Sequence, residues 1–202
     1  MFSGIVRGVG RILDTRDEGG DRRIVIGHAG VDMPGPGVGA SIAVNGVCLT
    51  AAAVGDDRFE ADVSAETLAV TALGGCGRGA PVNLEPSLRL GDTVDGHLVS
   101  GHVDGVGRVA ALAPAARSTT LTIELPPGLE RFVAQKGSIA VDGVSLTVNR
   151  VAGSRFEVNV VPHTREHTII GTYAVGAPVN VEVDMLARYV ERMLSDRVSG
   201  RC

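Results

Sequence analysis

Cys48 stands in VNGVCLT and Ser145 in VDGVSLT, one motif written twice with a different reactive side chain at the same place. A cysteine thiolate attacks electron-poor carbon, and a cysteine in an apolar strand serves equally as inert core. His102, in SGHVDG, carries an imidazole, the side chain suited to moving protons near neutrality; its plainer reading is a structural place at a domain junction. The hydroxyls of Ser41, Thr50 and Thr147 fit strand caps or ligand contacts. Asp142 precedes Gly143, where an aspartate first of all shapes a turn. Asp184 opens the C-terminal segment, a position fit for a helix cap, and Lys136 reads as a solvated surface charge.

A duplication holds these residues. GASIAVNGVCLTAAAVGDDRFE, from Gly39, aligns without a gap on KGSIAVDGVSLTVNRVAGSRFE, from Lys136, an offset of 97 residues. The same register pairs GIVRGVGRI with GHVDGVGRV and GAPVNLE with GAPVNVE. A fixed period marks a repeated structural unit. It also exposes where the copies differ: Cys48 against Ser145, Asn45 against Asp142, Ile5 against His102, Gly39 against Lys136. Barrel packing does not demand an imidazole where the other copy manages with Ile5.

Within each copy, short strands are predicted. Residues 41–44 and 47–50 flank Asn45-Gly46, and residues 138–141 and 144–147 flank Asp142-Gly143. Both dipeptides favour hairpins, because their residues tolerate positive φ. Residues 58–63, 81–84, 155–161 and 178–183 read as further strands, and Ser64 and Pro162 each suit the start of a short helical turn. Many short strands with almost no long helix predict closed Greek-key barrels, which leave no open sheet edge. Leu186, Tyr189, Val190, Met193 and Leu194 form one stripe of a C-terminal helix that packs on its own domain or meets another subunit. The final SDRVSGRC reads as frayed. The predicted units are residues 1–97, residues 98–185, and a helix and tail at residues 186–202. Each repeat carries a whole core, so a half ending near Leu90 is expected to fold and bind alone.

Apolar residues form 44% of the 202-residue chain, enough for packed cores, although aromatics are 3% and Trp is absent. A net charge of -4 with no basic block argues against a nucleic-acid partner. No apolar run is long enough for a membrane span, and Arg7, Arg11 and several glycines break the N-terminus too often for a signal peptide. Cys48, Cys76 and Cys202 have neither disulfide-framework nor zinc-ligand spacing. Together these features predict a soluble cytoplasmic protein with no nucleic-acid partner, no membrane and no metal.

MFSGIV, the paired VNGVCLT and VDGVSLT, DGHLVSGHVDG, VPHT and LARYVERML occur in that order, and in them the chain resembles the riboflavin synthase family along nearly its whole length. Ser3, where the family usually has Thr, and Arg165, where an aliphatic residue is common, depart from the pattern. The resemblance implies an all-β fold, two tandem six-stranded antiparallel Greek-key barrels with a C-terminal α-helix, assembled as a homotrimer. It implies a cofactor-free dismutation of two molecules of 6,7-dimethyl-8-ribityllumazine. A four-carbon unit passes from donor to acceptor, leaving riboflavin and 5-amino-6-(D-ribitylamino)uracil. The N-terminal barrel of one subunit would then face the C-terminal barrel of another. Holding two oriented copies of one substrate converts an improbable encounter into a positioned one, and unlike jobs require unlike pockets.

The catalytic set implied by the resemblance is Cys48, His102, Ser41, Asp142, Ser145 and Asp184. Cys48 would act as nucleophile or water-positioner at C7 of the acceptor, assisted by Ser41 and Thr50. His102 would take part in removing the C7-methyl proton of the donor, with Asp142, Ser145 and Thr147 on the donor side. Asp184 is a candidate acid between subunits, and Lys136 is placed against bound ligand. The lining implied comprises Gly4, Ile5 and Val6; Leu49 between Cys48 and Thr50; Asp62, Val63, Ser64, Ala65, Glu66 and Thr67. It continues with Gly101, His102 and Val103; Leu146 between Ser145 and Thr147; and Val161, Pro162, His163, Thr164, Arg165 and Glu166. Small residues among them let backbone groups reach the ring edges. His97 reads as a hinge or hydrogen-bonding residue, and Cys76 receives no role. Two other functions compete. A non-catalytic lumazine- or flavin-binding protein needs only one good pocket, whereas both hairpin motifs stand here. The flavin barrel of a reductase should be joined to a nucleotide-binding βαβ unit, and no glycine-rich strand-to-helix fingerprint of one appears in the sequence.

Overall fold

A computed structural model describes residues 1–33 and 35–198. The first copy supplies β1 (Gly8–Glu18), β2 (Asp21–Gly27), β3 (Ser41–Val44), β4 (Val47–Val54), β5 (Arg58–Val63) and β6 (Pro81–Pro86), with α1 (Ala65–Val70) before β6. The second supplies β7 (Gly105–Ala115), β8 (Ser118–Glu124), β9 (Ser138–Val141), β10 (Val144–Ala152), β11 (Arg155–Val160) and β12 (Pro178–Val183), with α2 (Pro162–His167) before β12. Each copy closes into a six-stranded antiparallel barrel with ring order β1-β2-β5-β4-β3-β6, repeated as β7-β8-β11-β10-β9-β12. The two short helices start as their caps dictate. Ser64 Oγ accepts from Thr67 N at 3.2 Å, and Pro162 fills the first turn of α2.

Alternation fills each barrel from every strand. Ile12, Ile26, Phe59, Val82 and Leu84 are fully buried in the first, and Leu121, Ile123, Phe156, Val158 and Val179 in the second. Burying each such side chain contributes about 1.5–3 kcal/mol. The two barrels also meet each other at their hairpins. Asn45 and Gly46 take φ of 47° and 76°, Asp142 and Gly143 take 44° and 79°, as the predicted tight turns require. A Cβ on Gly46 would stand 2.6 Å from Gly143 N, so these glycines permit back-to-back contact as well as the turn. Around it, Asn83 Nδ2 donates to Asp142 O and Asn180 Nδ2 to Asn45 O, both at 2.8 Å. This reciprocal exchange is the signature of an approximate two-fold axis relating the copies. Phe2, Ala43, Val99 and Ala140 form a third buried cluster, which straddles it.

α3 (Met185–Val198) follows β12 and is capped by Asp184, whose Oδ1 accepts from Leu186 N at 3.0 Å. The helix runs to Val198, into the segment expected to fray; residues 199–202 lie outside the described residues. Its apolar stripe faces away from its own barrel, with Leu186 and Tyr189 each 69% exposed and Met193 64%. Own-barrel contact is made instead by ion pairs from Arg188 to Asp104 (2.9 Å) and from Glu191 to Arg131 (3.1 Å). Cys48 and Cys76 are free thiols, Cys202 falling outside the described residues. Among those residues, no helix is long and apolar enough to cross a membrane.

Candidate functional site

Strand alternation decides which of the candidate side chains face outward. On β4, Val47, Leu49 and Ala51 point into the barrel, while Cys48 is half-buried and Thr50 exposed on the outer face. β3 sets Ser41 opposite Thr50. Pairing of Ala51 with Ala61 leaves Thr50 and Asp62 flanking that pair on the same surface. Arg23 grips Asp62 through two hydrogen bonds of 2.7 and 2.8 Å and holds its carboxyl below the usual range. Ser64, Ala65, Glu66 and Thr67, the cap and first turn of α1, border the patch. Leu49, Val63 and Leu146 were expected to line the site but are core residues, 4%, 1% and 8% exposed, so they bring only backbone to the surface.

Each patch is completed by the other copy. Gly101 O accepts from Cys48 N at 2.9 Å, and a Cβ on Gly101 would stand 2.6 Å from Cys48 Cβ. Val103 packs against the first barrel's core, and His102 between them is exposed. Reciprocally, Gly4 O accepts from Ser145 N at 2.8 Å and Val6 packs against the second core. Buried carboxylates anchor both segments at home. Glu85 Oε1 accepts from Ser3 N and Ser3 Oγ at 2.7 and 2.8 Å. Glu182 Oε1 accepts from Ser100 N and Ser100 Oγ, both at 2.7 Å. The departure at Ser3 is thereby harmless, because the hydroxyl is what Glu85 binds. Burial pushes the Glu85 carboxyl up, against the pull of these hydrogen bonds.

In the second patch, Thr147 is exposed opposite Ser138, and Ser145 Oγ lies 2.7 Å from His97 Nδ1. Burial lowers the His97 pKa, with the Asp184 carboxylate pulling the other way. A neutral imidazole bonded to a hydroxyl can pass a proton through it. His97 is thus the residue that sequence reasoning left outside the site. The junction motif contained it, but nothing in the repeat pointed to Ser145 as its partner. His102, expected on the donor side with Ser145, follows the Gly101 whose carbonyl is bonded to Cys48 N. Lys136 is exposed with φ of 69° where the first copy has Gly39 at 85°. Left-handed backbone costs a side-chain-bearing residue about 1–2 kcal/mol, so the second copy keeps this cation against a local preference. Val161, Pro162, His163, Thr164 and Glu166 form the cap and face of α2, with His163 stacked on His167 at 4.2 Å. Arg165 instead lines a separate cavity of about 330 Å3 with Leu121, Val160 and Tyr173.

Asp142 does not reach either surface. It is 2% exposed, its Oδ1 accepts from Asn180 N at 2.8 Å, and its Oδ2 accepts from the Tyr173 hydroxyl. It ties its hairpin to β12 as Asn45 ties the first hairpin to β6, where Asn45 Oδ1 accepts from Asn83 N at 2.7 Å. Burial pushes its pKa from 3.8 up to about 7. A carboxyl whose folded-state pKa is raised stabilises fully below its unfolded pKa, and that contribution is lost as pH rises through the folded value. Asp142→Asn keeps the acceptor and removes the ionisation. Between about pH 4 and pH 8 the wild type should therefore lose up to roughly 4 kcal/mol relative to the variant in denaturant unfolding. Parallel stability curves would contradict the buried-acid reading.

The crossing of residues 4–6 and 101–103 also changes the expectation for an isolated half. A fragment ending at Leu90 keeps its own core but lacks the segment that completes the Cys48 surface. The two-fold arrangement lets a second fragment supply residues 4–6 there. Light scattering with riboflavin titration should find a folded dimer whose binding is lost on dilution to monomer. A monomer binding at undiminished affinity would contradict this.

Comparison with known proteins agrees with this architecture. A family model for the lumazine binding domain matches residues 3–87 and again 100–184, the two barrels. The chain is 44% identical to the riboflavin synthase of Mycobacterium tuberculosis H37Rv, covering 96% of this chain and 98% of that protein. It is 42% identical to the riboflavin synthase of Photobacterium phosphoreum, covering 96% and 89%. Among solved structures, LumP complexed with riboflavin superposes with a TM-score of 0.82, covering 91% of this chain and 99% of that one. At 24% identity that likeness speaks for the fold alone. Tandem matches to one domain, and identity above 40% to these enzymes over 96% of its length, make the chain a member of the riboflavin synthase family.

Proposed function

We propose that the chain acts as a riboflavin synthase, converting two molecules of 6,7-dimethyl-8-ribityllumazine into riboflavin and 5-amino-6-(D-ribitylamino)uracil. One observation carries this beyond family membership: two related surfaces bear unlike chemistry, Cys48 beside the His102 segment and Ser145 bonded to His97. A carrier needs one such surface. A reaction between two identical molecules in different roles needs two.

In this reading the first surface holds the acceptor. Cys48 adds to C7 or positions the water that does, Ser41 and Thr50 present hydroxyls, and His102 moves protons at that carbon. The second surface holds the donor, whose C7-methyl proton passes to the Ser145–His97 pair. Lys136 and Asp184 supply charge at its margin. The two substrates together contain every atom of the two products, so the transfer itself calls for no oxidant or reductant. The exposed stripe of α3 joins subunits into a homotrimer, which brings the first barrel of one against the second barrel of another.

Purified protein mixed with the lumazine, with no cofactor added, should yield riboflavin by chromatography and fluorescence. A spectrum that shifts on binding and then stays constant would support the carrier instead.

A further inference from the structure

We propose that Arg188 is a positioning residue for the first surface: from α3 it fixes the backbone at His102, next to the Gly101 whose carbonyl is bonded to Cys48 N, so that the imidazole is placed by the docked C-terminal helix. The inference rests on the proposed role of His102. Arg188 Nη2 donates to His102 O and to Asp104 Oδ2, each at 2.9 Å. Asp104 Oδ2 also accepts from Val183 N at 2.8 Å, and Asp104 N donates to Val181 O at 2.9 Å. The guanidinium therefore ties the 101–104 segment, the end of β12 and α3 into one unit.

The imidazole of His102 is exposed, so its place is inherited from its backbone. That backbone is held on both sides. His102 N donates to Ser100 Oγ at 3.3 Å, its carbonyl is held by Arg188, and the preceding Gly101 O is fixed by Cys48 N at 2.9 Å. Arg188 Nε is buried without a hydrogen-bond partner among the described residues. Orientation of the guanidinium is set by the His102 and Asp104 contacts at the expense of that nitrogen. Repeat symmetry sharpens the point. The position of His102 is Ile5 in the first copy, that of Asp104 is Arg7 and that of Arg188 is Gly91, so the tie exists only in the copy whose segment carries the imidazole. Nor is Arg188 the helix's sole attachment, because Glu191 reaches Arg131 at 3.1 Å.

The test uses the full chain with Arg188→Met, Arg188→Lys and His102→Gln, alone and with Arg188→Met combined with His102→Gln. Arg188→Met should lower kcat about 10-fold or more, with riboflavin affinity and oligomeric mass unchanged. Arg188→Lys, which retains one donor group for the carbonyl, should recover part of the loss. In the His102→Gln background, Arg188→Met should cost less than about twofold more, since the group it places is gone. Additive losses in the double variant would overturn the proposal, as would loss of kcat only together with loss of assembly in both Arg188 variants. A slow His102→Gln beside a normal Arg188→Met overturns this role alone. A normal His102→Gln overturns the reading of His102 on which it rests.

Discussion

Cys48→Ala is expected to lower turnover about 100-fold or more while changing lumazine affinity less than about threefold. The thiol is half-buried on the outer side of β4 against the inter-barrel cluster of Phe2 and Val99, and its backbone amide is already engaged by Gly101 O at 2.9 Å. Truncating the side chain leaves that backbone bond and the outward placement of Thr50 unchanged, so the binding surface persists. What is lost is a group engaged as C7 of the acceptor changes its bonding, and such a loss falls on kcat. Cys48→Ser should retain more activity, because Ser145 occupies this position on β10 with the same backbone bond to the opposite copy. His102→Gln should also slow turnover with binding kept. Steady-state kinetics beside a lumazine-binding titration separates the two effects. Normal turnover in both Cys48→Ala and His102→Gln would contradict the roles assigned here.

Ending the chain before Leu186 is expected to leave two folded barrels of reduced oligomeric mass and little activity. The barrels close without α3, and no described residue of that helix belongs to either core, which draws on each barrel's own strands and short turns apart from the leading segments they exchange. Val190, Met193 and Leu194, all more than half exposed, face outward with Leu186 and Tyr189. Contiguous apolar surface of this kind marks an interaction site. Multi-angle light scattering with an activity assay checks the truncation. Val190→Ser with Met193→Ser keeps the helix and Arg188, so it separates loss of assembly from loss of the His102 anchor. Unchanged mass and turnover in the truncated protein would contradict this account of the helix.

Much of the architecture was legible because the repeat and the hairpin dipeptides are local signals. Asn45-Gly46 and Asp142-Gly143 specify their turns through φ alone, and Ser64 and Pro162 specify their helix starts. The strands β1 and β2 were harder to read, since TRDEGGDRR at their joint is charged on both faces and hides the alternation. Register said which segments are equivalent, never which copy they touch. The crossing of Gly4 to Ser145 and Gly101 to Cys48 is a tertiary fact without a local signature, and the placement of His102 followed from it. Asp142 misled for a related reason. An aspartate and an asparagine make the same turn, and only the fold reveals that the carboxyl is buried against Tyr173. His97 was visible as a residue, but its partner lies 48 positions away.

The decisive quantity is the ratio of lumazine consumed to products formed by the purified protein. If the two barrels hold two copies of one substrate in unlike roles, quantitative chromatography should find two lumazines lost for each riboflavin and each 5-amino-6-(D-ribitylamino)uracil formed. Riboflavin formed without the pyrimidine product, consumption of one lumazine per riboflavin, or binding with no products at all would contradict it.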